Sequence, residues 1–412
     1  MSRTELHRLI ALVVFAGTYA GLGIGRLPPF RIDRTGVAII GAAAMVVTGV
    51  VPWDRAVAAV DAHTLVLLFG MMIVAAYQRL SGFFNLATTL AVRRARTPTS
   101  LLAMIIVAAG GLSALFVNDV ICLVMAPIVV DVVRRLRLPP VPYLVALAAA
   151  ANVGSVATLT GNPQNMLIGS FSGIAYRRFL LREAPVALIG LGIVFMVVWI
   201  CHRRDLSRSL ERGSLPERVV VHYPLMIKTL LVVVLMLAGF LAGVPIALVA
   251  IAGAAYTLFT RRVKPEKVYR EIDWELLVLF SGLFIVIAGV EASGLTDDLL
   301  GLTAAVGLHR PAVLTIVTAL LSNLVSNVPA VLLFKSVIPG FGDPVRSWLI
   351  LAMASTLAGN LTILGSVANL IVVEHARGAG IEIGFIEYCR LGVPVTALTL
   401  LVGWLVLILV PV

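Results

Sequence analysis

Four short polar clusters interrupt apolar stretches of this sequence, and their residue types suit the binding of a small ion. They are FVND at 116–119, TGNP at 160–163, SNVP at 326–329 and LGS at 364–366. In hydrocarbon an unpaired backbone N–H or C=O is costly, so a helix is interrupted at depth only where the freed groups line a cavity or bind something. Freed amides at helix N-termini favour an anion, whereas freed carbonyls with Asn and Thr oxygens favour a small cation such as Na⁺.

Each cluster also contains residues that begin helices. Asn162 before Pro163, and Asn327 shortly before Pro329, are expected to cap helices with proline in the first turn. Ser366 is expected to cap the half-helix that follows it. The same small and amide residues are equally typical of close helix packing, so a single Asn does not distinguish a binding site from a packing contact.

The composition assigns the apolar stretches to a membrane. Of the 412 residues, 60% are hydrophobic and only 13% are charged, whereas soluble domains have about 25% charged residues. The net charge of +11 does not indicate a nucleic-acid partner, because the basic residues occupy short gaps between apolar runs, as in cytoplasmic loops. Cys122, Cys201 and Cys389 are too widely spaced for a disulfide framework or a metal site. We therefore expect an integral membrane protein without a resident cofactor, in contact with lipid.

Apolar length predicts about ten transmembrane helices, since roughly 20 apolar residues cross a bilayer core. The predicted spans are 6–25, 35–52, 63–80, 142–170, 184–201, 223–240, 243–260, 274–292, 346–374 and 391–410. Two further stretches, 99–135 and 311–338, are too long for one helix and carry a polar cluster near the middle. We interpret them as re-entrant helical hairpins with their tips at depth. The predicted fold class is therefore an all-α integral membrane protein.

The second half of the sequence repeats polar positions of the first. The matched residues, in the same order, are Asn118 with Asn327, Thr158 with Thr362, Gly161 with Gly365, and Asn165 with Asn369. We therefore predict repeat 1 at residues 1–202, a cytoplasmic linker at 203–222 and repeat 2 at 223–412. Each repeat has five spans and one hairpin, and an odd number of crossings makes the two copies inverted.

The distribution of basic residues predicts that both termini face the periplasm or exterior. With that orientation the inner loops contain Arg26, Arg31 and Arg34; Arg93, Arg94 and Arg96; Arg134, Arg135 and Arg137; Arg203, Arg204, Arg208, Arg212 and Arg218; and Arg261, Arg262, Lys264, Lys267 and Arg270. The largest outer cluster is smaller, and consists of Arg177, Arg178 and Arg182. Hairpin 99–135 then opens from the cytoplasm and hairpin 311–338 from outside.

Asp119 is the ionisable residue beside a predicted hairpin tip. An acid at depth in a membrane is by default a proton or cation site, although it can also cap the returning helix. Cys122, one turn after Asn118, would offer a soft ligand to a thiophilic solute or simply pack. No nucleotide-binding loop, zinc motif or nucleophile elbow is present, so we expect an ion gradient to supply the energy.

At these residues the sequence resembles the ion transporter superfamily, which includes arsenical pump membrane proteins, NhaD-type antiporters, and sodium-coupled dicarboxylate and citrate carriers. The most specific matches are IDWELLVLFSGLFIVIAGVEASGL at 272–295, FVNDVICLVMAPIVV at 116–130, TGNPQNMLIG at 160–169, SNLVSNVPAVLLF at 322–334 and GNLTILGSVANLIV at 359–372. The resemblance implies a two-repeat transporter, often dimeric, with a site between hairpin tips and broken spans. The implied half-sites are Asn118, Asp119, Thr158, Gly161, Asn162 and Asn165, and then Ser326, Asn327, Thr362, Gly365, Ser366 and Asn369.

The resemblance also guides the expected substrate. Dicarboxylate carriers have Ser-Asn-Thr in both half-sites, whereas here the first reads Val-Asn-Asp and the second Ser-Asn-Val. The Asn-Asp pair is similar to the arsenical pump branch, and the lack of Arg or Lys at depth favours a neutral or singly charged solute. We expect arsenite or antimonite efflux coupled to proton entry at Asp119, with a cytoplasmic ATPase as a partner if the chain is an arsenical pump.

Three alternatives remain open at this point. The first two are Na⁺-coupled uptake of an anion such as a dicarboxylate, citrate or sulfate, with Na⁺ near Asn118 and Asn327, and Na⁺/H⁺ antiport. The third is an intramembrane enzyme, which is disfavoured because no second acid, metal-ligand set or nucleophile accompanies Asp119. The expected location is a bacterial inner membrane.

Overall fold

The computed structural model describes residues 3–25, 32–206 and 220–410. Within these ranges the chain consists of α-helices with short 3₁₀ turns and has no β-sheet. Seven of the described helices are long and apolar enough to cross a membrane, and four shorter apolar helices accompany them. The predicted all-α membrane fold is therefore confirmed.

The described residues of the first half form ten α-helices. They are α1 (Arg3–Ile24), α2 (Arg34–Val47), α3 (Trp53–Ala59), α4 (Ala62–Ser81), α5 (Phe83–Arg93), α6 (Pro98–Leu115), α7 (Asn118–Arg135), α8 (Pro140–Ser155), α9 (Pro163–Ser172) and α10 (Tyr176–Leu206). Side-chain caps fix several of their starts: Asp61 accepts a hydrogen bond from the Thr64 amide at 3.0 Å at the start of α4. Proline occupies the first turn of α6, α8 and α9, where its missing N–H costs nothing.

The second half contains ten more helices in the same general order. They are α11 (Tyr223–Leu241), α12 (Ile246–Leu258), α13 (Pro265–Tyr269), α14 (Trp274–Ala292), α15 (Leu295–Val306), α16 (Pro311–Val325), α17 (Asn327–Phe334), α18 (Pro344–Leu357), α19 (Val367–Gly378) and α20 (Phe385–Leu409). Asp273 caps α14 as Asp61 caps α4, accepting a hydrogen bond from the Leu276 amide at 2.9 Å. These two equivalent helices therefore begin with the same type of capping residue.

The structure differs from the predicted segments in a few places. The predicted span 184–201 lies within the much longer α10, which begins at Tyr176. The short helices α3, α5, α13 and α15 were not predicted. Residues 203–206 of the predicted linker belong to α10. The predicted basic clusters lie within the described residues except for five arginines. These are Arg26, Arg31, Arg208, Arg212 and Arg218.

Helices of one half pack closely on helices of the other, and the contacts occur in reciprocal pairs. α4 packs on α12, and α14 packs on α2. In both pairs a glycine permits the close approach: a Cβ on Gly70 would lie 2.8 Å from the Ala250 carbonyl carbon, and one on Gly282 would lie 2.9 Å from that of Ala38. α7 likewise packs on α19, as α17 does on α9. These reciprocal contacts agree with the predicted division into two repeats, whose inverted arrangement stays a prediction.

Candidate transport site

Four interruptions of the helices lie at the polar clusters of the sequence. The first separates α6 from α7 at residues 116–117, and the second separates α8 from α9 at 156–162. The third is Ser326 between α16 and α17, where the backbone is left-handed with φ +78°. The fourth separates α18 from α19 at 358–366 and consists largely of 3₁₀ turns. The stretches predicted as hairpins are therefore pairs of helices, and their re-entry into a membrane stays a prediction.

Asn152, near the end of α8, connects the two halves at the centre of the protein. Its Oδ1 accepts hydrogen bonds from Asn118 Nδ2 at 2.9 Å and from Ser366 Oγ at 3.0 Å. Its Nδ2 donates to Asn360 Oδ1 at 2.9 Å and to Asn369 Oδ1 at 3.0 Å. Asn152 is only 1% exposed. One buried amide therefore joins the start of α7 to the second broken span.

A second contact across the halves mirrors the first. Asn162 Nδ2 donates to Thr356 Oγ1 at 3.1 Å, and Ser366 Oγ donates to Asn152 Oδ1. With Asn165 aligned to Asn369, Thr356 takes in repeat 2 the position of Asn152 in repeat 1, and Ser366 that of Asn162. Each broken span therefore reaches across to the residue that precedes the other break.

The two broken spans also hold their own loops in the same way. Asn165 Nδ2 donates to two backbone carbonyls, seven and ten positions before it, at 3.0 and 3.1 Å. Asn369 Nδ2 donates to the carbonyls seven and ten positions before it, at 2.9 and 2.7 Å. Such bonds satisfy carbonyls that the interrupted helices release, which explains why both positions are asparagine.

The capping predictions hold for two of the three residues. Asn162 Oδ1 accepts from the Asn165 amide at 2.8 Å, and Ser366 Oγ accepts from the Ala368 amide at 3.2 Å. Asn327 was wrongly predicted as a cap. It is the first residue of α17, whose capping position is Ser326 without a side-chain cap bond.

Asn327 instead takes part in a local cluster at the second hairpin. Its Oδ1 accepts a hydrogen bond from Ser322 Oγ at 2.5 Å, and the same hydroxyl is 2.9 Å from the Ser355 carbonyl oxygen. Asn323 Nδ2 donates to the Ala358 carbonyl at 2.9 Å. These bonds attach the second hairpin to the end of α18. Asn327 and Asn118 share no hydrogen bond among the described residues, so the two hairpin tips are not joined directly, and Asn118 reaches the second half-site through Asn152.

The remaining predicted site residues lie in or beside the breaks. The Asn118 amide donates to the Gly161 carbonyl at 3.1 Å, which closes the first tip onto the first broken span. Thr158 Oγ1 donates to the Ala114 carbonyl at 2.6 Å. The carbonyl of the half-buried Thr362 accepts from the Gly365 amide at 3.1 Å. These contacts are all within the protein, and the binding role of these residues stays a prediction.

Asp119 occupies the second position of α7 and is half-buried. Its carboxylate lies near the Ala368 amide in the first turn of α19, and that amide donates to Ser366 Oγ at 3.2 Å. The acid therefore lies beside the N-terminus of a helix from the other half of the chain. A protonation change at Asp119 would weaken a contact between the halves.

Four polar atoms at this centre are buried without a hydrogen-bond partner. They are Asn118 Oδ1, Asn165 Oδ1, Asn323 Oδ1 and Asn360 Nδ2. Buried polar groups are normally paired, so unpaired ones indicate where a ligand or water is held. Three carbonyl-type oxygens suit a small cation and one amide N–H suits an anion or hydroxyl oxygen. No cluster of three metal-ligating side chains occurs among the described residues.

Several residues of this centre were not predicted from the sequence. They are Asn152, Ser322, Asn323, Ser355, Thr356 and Asn360, together with Gln164, which donates to Thr356 Oγ1 at 3.1 Å. Extending the repeat alignment six residues upstream of Thr158 would have paired Asn152 with Thr356. The polar residues that precede each break therefore take part in the hydrogen-bonded centre as much as those within it.

Two cavities lie beside the C-terminal ends of the half-helices α19 and α9. One, of about 550 Å³, lies between α7 and α19 and is lined by Leu123, Pro127, Asp131, Arg134, Glu374 and His375. The other, of about 660 Å³, lies by the start of α4 and the end of α9 and is lined by Asp61, His63, Ser170, Ile246 and Lys335. α9 and α19 occupy equivalent positions in the two halves, so the two cavities lie at equivalent places in the fold.

An all-helical membrane fold with interrupted helices and buried amide clusters is typical of a secondary membrane transporter. The model of the CitMHS family, described as citrate transporter, matches residues 10–358 of the chain. This protein therefore belongs to the CitMHS family, and it is a multi-pass membrane transporter rather than an enzyme. The resemblance to the ion transporter superfamily is confirmed.

Similar proteins cover nearly the whole chain. The silicon efflux transporter LSI3 of Oryza sativa subsp. japonica is 29% identical over 476 residues, with 98% of each chain covered. The putative transporter arsB of Dictyostelium discoideum is 23% identical over 500 residues, covering 92% of this chain and 88% of its own. The crystal structure of the Alcanivorax borkumensis YdaH transporter has a TM-score of 0.64 at 18% identity, covering 98% of this chain and 97% of that one. The last similarity concerns the fold.

Proposed function

We propose that this transporter exports a small oxyanion or its neutral acid, with arsenite or antimonite as the leading case, in exchange for a proton. The observation that supports this most is the centre around Asn152, where asparagine amides and hydroxyls predominate. None of the residues in that hydrogen-bonded network is Lys or Arg. A multiply charged anion would lack a counter-charge there, whereas a hydroxylated neutral acid would find donors and acceptors.

The names of the similar proteins agree with this solute chemistry. One is called a silicon efflux transporter and another a putative transporter arsB. Silicic acid and arsenous acid are both small, neutral, hydroxylated molecules at neutral pH. We therefore place silicic acid second to arsenous acid among the solutes to be tested.

Asp119 is the proposed proton carrier. It lies at the start of α7 against the first turn of α19, so its charge affects a contact between the two halves. Protonation would remove the attraction to the α19 amide, and deprotonation would restore it. The two cavities at the far ends of α19 and α9 are the proposed routes to opposite membrane faces. Movement of one half against the other would open them in turn.

Na⁺-coupled anion uptake is the second candidate. The unpaired oxygens of Asn118, Asn165 and Asn323 are the kind of ligands that Na⁺ uses at unwound helices. The family description names citrate, which would need more positive charge at the centre than the network supplies. Na⁺/H⁺ antiport without another solute is the third candidate, and it uses the same oxygens and Asp119.

The cellular setting is also proposed. We expect a bacterial inner membrane with both termini in the periplasm, because the basic residues concentrate on one predicted side. We further propose a homodimer, and a cytoplasmic ATPase partner if the chain acts within an arsenical pump.

Growth of an arsenite-sensitive bacterial strain tests the export proposal. Expression of the protein should restore growth on arsenite, and expression of Asp119→Asn at the same level should not. Antimonite should give the same result. Equal sensitivity with and without the protein, at verified membrane levels, would exclude arsenite export.

A further inference from the structure

One face of α10 is buried along its first half, and it contains an acid. The buried residues are Tyr176, Phe179, Glu183, Val186 and Gly190, at helical spacing. Glu183 is 0% exposed. Acidic side chains are almost never fully buried unless they are paired, so this position is unusual for packing alone.

Two contacts locate Glu183 beside the first broken span. Tyr176 lies seven residues, or about two helical turns, before Glu183. Its Oη is 3.3 Å from Thr160 Oγ1, which belongs to the break between α8 and α9. Seven residues after it, Gly190 packs on α8, where a Cβ would lie 2.7 Å from Val153 Cγ1. Seven residues of helix span about 10 Å and return to nearly the same face. Glu183 therefore faces the stretch between Val153 and Thr160.

Among the described residues the Glu183 carboxyl has no partner. Neither Oε1 nor Oε2 has a hydrogen bond. An ionised carboxylate in such surroundings is strongly unfavourable unless a proton or cation accompanies it. A proton alone removes that charge, whereas a cation would need further oxygen ligands as well, so a proton is the simpler explanation.

The elements packed against α10 offer few ionisable groups. α6 has none, and α20 has none after Arg390. Those of α8, α18 and α11 lie in the first two turns of each helix, and are Tyr143, Arg346, Tyr223 and Lys228. On α10 itself the flanking Arg177, Arg178 and Arg182 precede Glu183, and the first two are exposed. None of these groups makes a hydrogen bond or ion pair with the acid.

A weak point of α10 lies next to the acid. Pro185 has no N–H and therefore cannot bond the carbonyl of Leu181, so α10 is easily bent there. Bending at Pro185 would separate Tyr176 from Thr160 and admit water to Glu183. The proton state of the acid would then depend on the position of the first broken span.

We propose that Glu183 is a second proton-carrying residue of the transport cycle, behind the first broken span and distinct from Asp119. With the α10 face sealed, Glu183 is a neutral carboxylic acid. When α10 bends while the site faces the cytoplasm, Glu183 releases one proton to water there and becomes a carboxylate. After the site has turned to the exterior, Glu183 takes up one proton from that side, and the face then closes again. This inference rests on the proposed proton-coupled transport.

The test compares wild type, Glu183→Gln and Glu382→Gln in proteoliposomes. Gln preserves the shape of the protonated acid, and the exposed Glu382 is the matched control. Two assays are run with arsenite: exchange at equal concentrations without a pH gradient, and accumulation driven by a pH gradient. We expect Glu183→Gln to keep exchange within about twofold and to lose accumulation by at least about tenfold. Glu382→Gln should match wild type in both.

The outcomes separate the two proposals. Accumulation by Glu183→Gln at the wild-type level would overturn the role of Glu183, and so would loss of exchange together with accumulation in a folded variant. Failure of wild type to exchange arsenite would overturn the proposed function instead. Infrared spectra provide a measurement independent of transport: at neutral pH, wild type and Glu382→Gln should show a protonated-carboxyl band that Glu183→Gln lacks. Identical spectra from all three proteins would also overturn the proposal.

Discussion

Replacing Asn152 by Ala should disrupt the centre of the transporter more than any other single amide replacement. The change removes four hydrogen bonds of 2.9–3.0 Å, to Asn118, Ser366, Asn360 and Asn369. The partners are affected unequally. Asn369 keeps two backbone bonds from its Nδ2, whereas the Asn118 side chain loses its hydrogen bond and its Oδ1 is already unpaired.

The expected size follows from those losses. Leaving a buried polar group unpaired costs about 1–3 kcal/mol. Asn118 and Asn360 are the partners left with the fewest bonds, so we expect a total near 3 kcal/mol, which is about a hundredfold in an equilibrium constant. Because those bonds join the first hairpin to the second broken span, most of the loss should appear in the geometry of the site and in the transport rate.

The assay is arsenite exchange in proteoliposomes together with thermal unfolding of the purified protein in detergent. Asn152→Ala should lower both the exchange rate, by at least about tenfold, and the unfolding temperature. Asn85→Ala, on the exposed side of α5, is the matched control and should change neither. Wild-type exchange by Asn152→Ala would refute the role of this residue as the connection between the halves.

Three further experiments test other parts of the structure. Gly161→Ala places a Cβ 2.2 Å from the Ser155 carbonyl oxygen, so it should destabilise the first break by about 1–3 kcal/mol and reduce exchange, while Gly111→Ala, with open space around it, should not. Asp119→Asn should leave the protein folded but make arsenite efflux from vesicles independent of the pH gradient, and retained pH dependence would contradict its proton role. A membrane-impermeant maleimide should label the exposed Cys201 only from the cytoplasmic face, and labelling from the periplasm would reverse the predicted topology.

The helix breaks could be predicted because their residue types have few other uses in an apolar segment. Asn162 followed by Pro163 caps a helix, and Asn165 and Asn369 pair with carbonyls that only an interrupted helix releases. A polar residue that satisfies freed backbone groups can therefore be recognised from the local sequence. The left-handed backbone at Ser326 could not be predicted in this way, because the residue in that conformation is usually glycine.

Asn152 could not be found in the same way. It lies inside α8, within a run of small apolar residues, and its function comes entirely from partners more than 30 positions away in sequence. Its equivalent in the second half is Thr356, a different residue type, so the repeat alone did not draw attention to either. Contacts between distant segments decide the importance of such a residue.

Glu183 could not be predicted as a functional residue for a related reason. The arginines before it place it outside the apolar window of 184–201, so a count of apolar residues begins the span too late. Only the packed helix shows that its face is turned inward, with Tyr176 and Gly190 on either side. The same limitation hid α5, whose buried side contains Phe84, Thr88 and Val92 and is too short for a span.

Flux measured in one reconstituted preparation tests the central claim most directly. Vesicles containing the purified protein are given arsenite, sulfate or succinate, each with a pH gradient or a Na⁺ gradient. We predict that arsenite accumulates in response to the pH gradient, without Na⁺, and that sulfate and succinate do not. Na⁺-dependent uptake of succinate or sulfate by vesicles that ignore arsenite would contradict proton-coupled export of a small neutral acid.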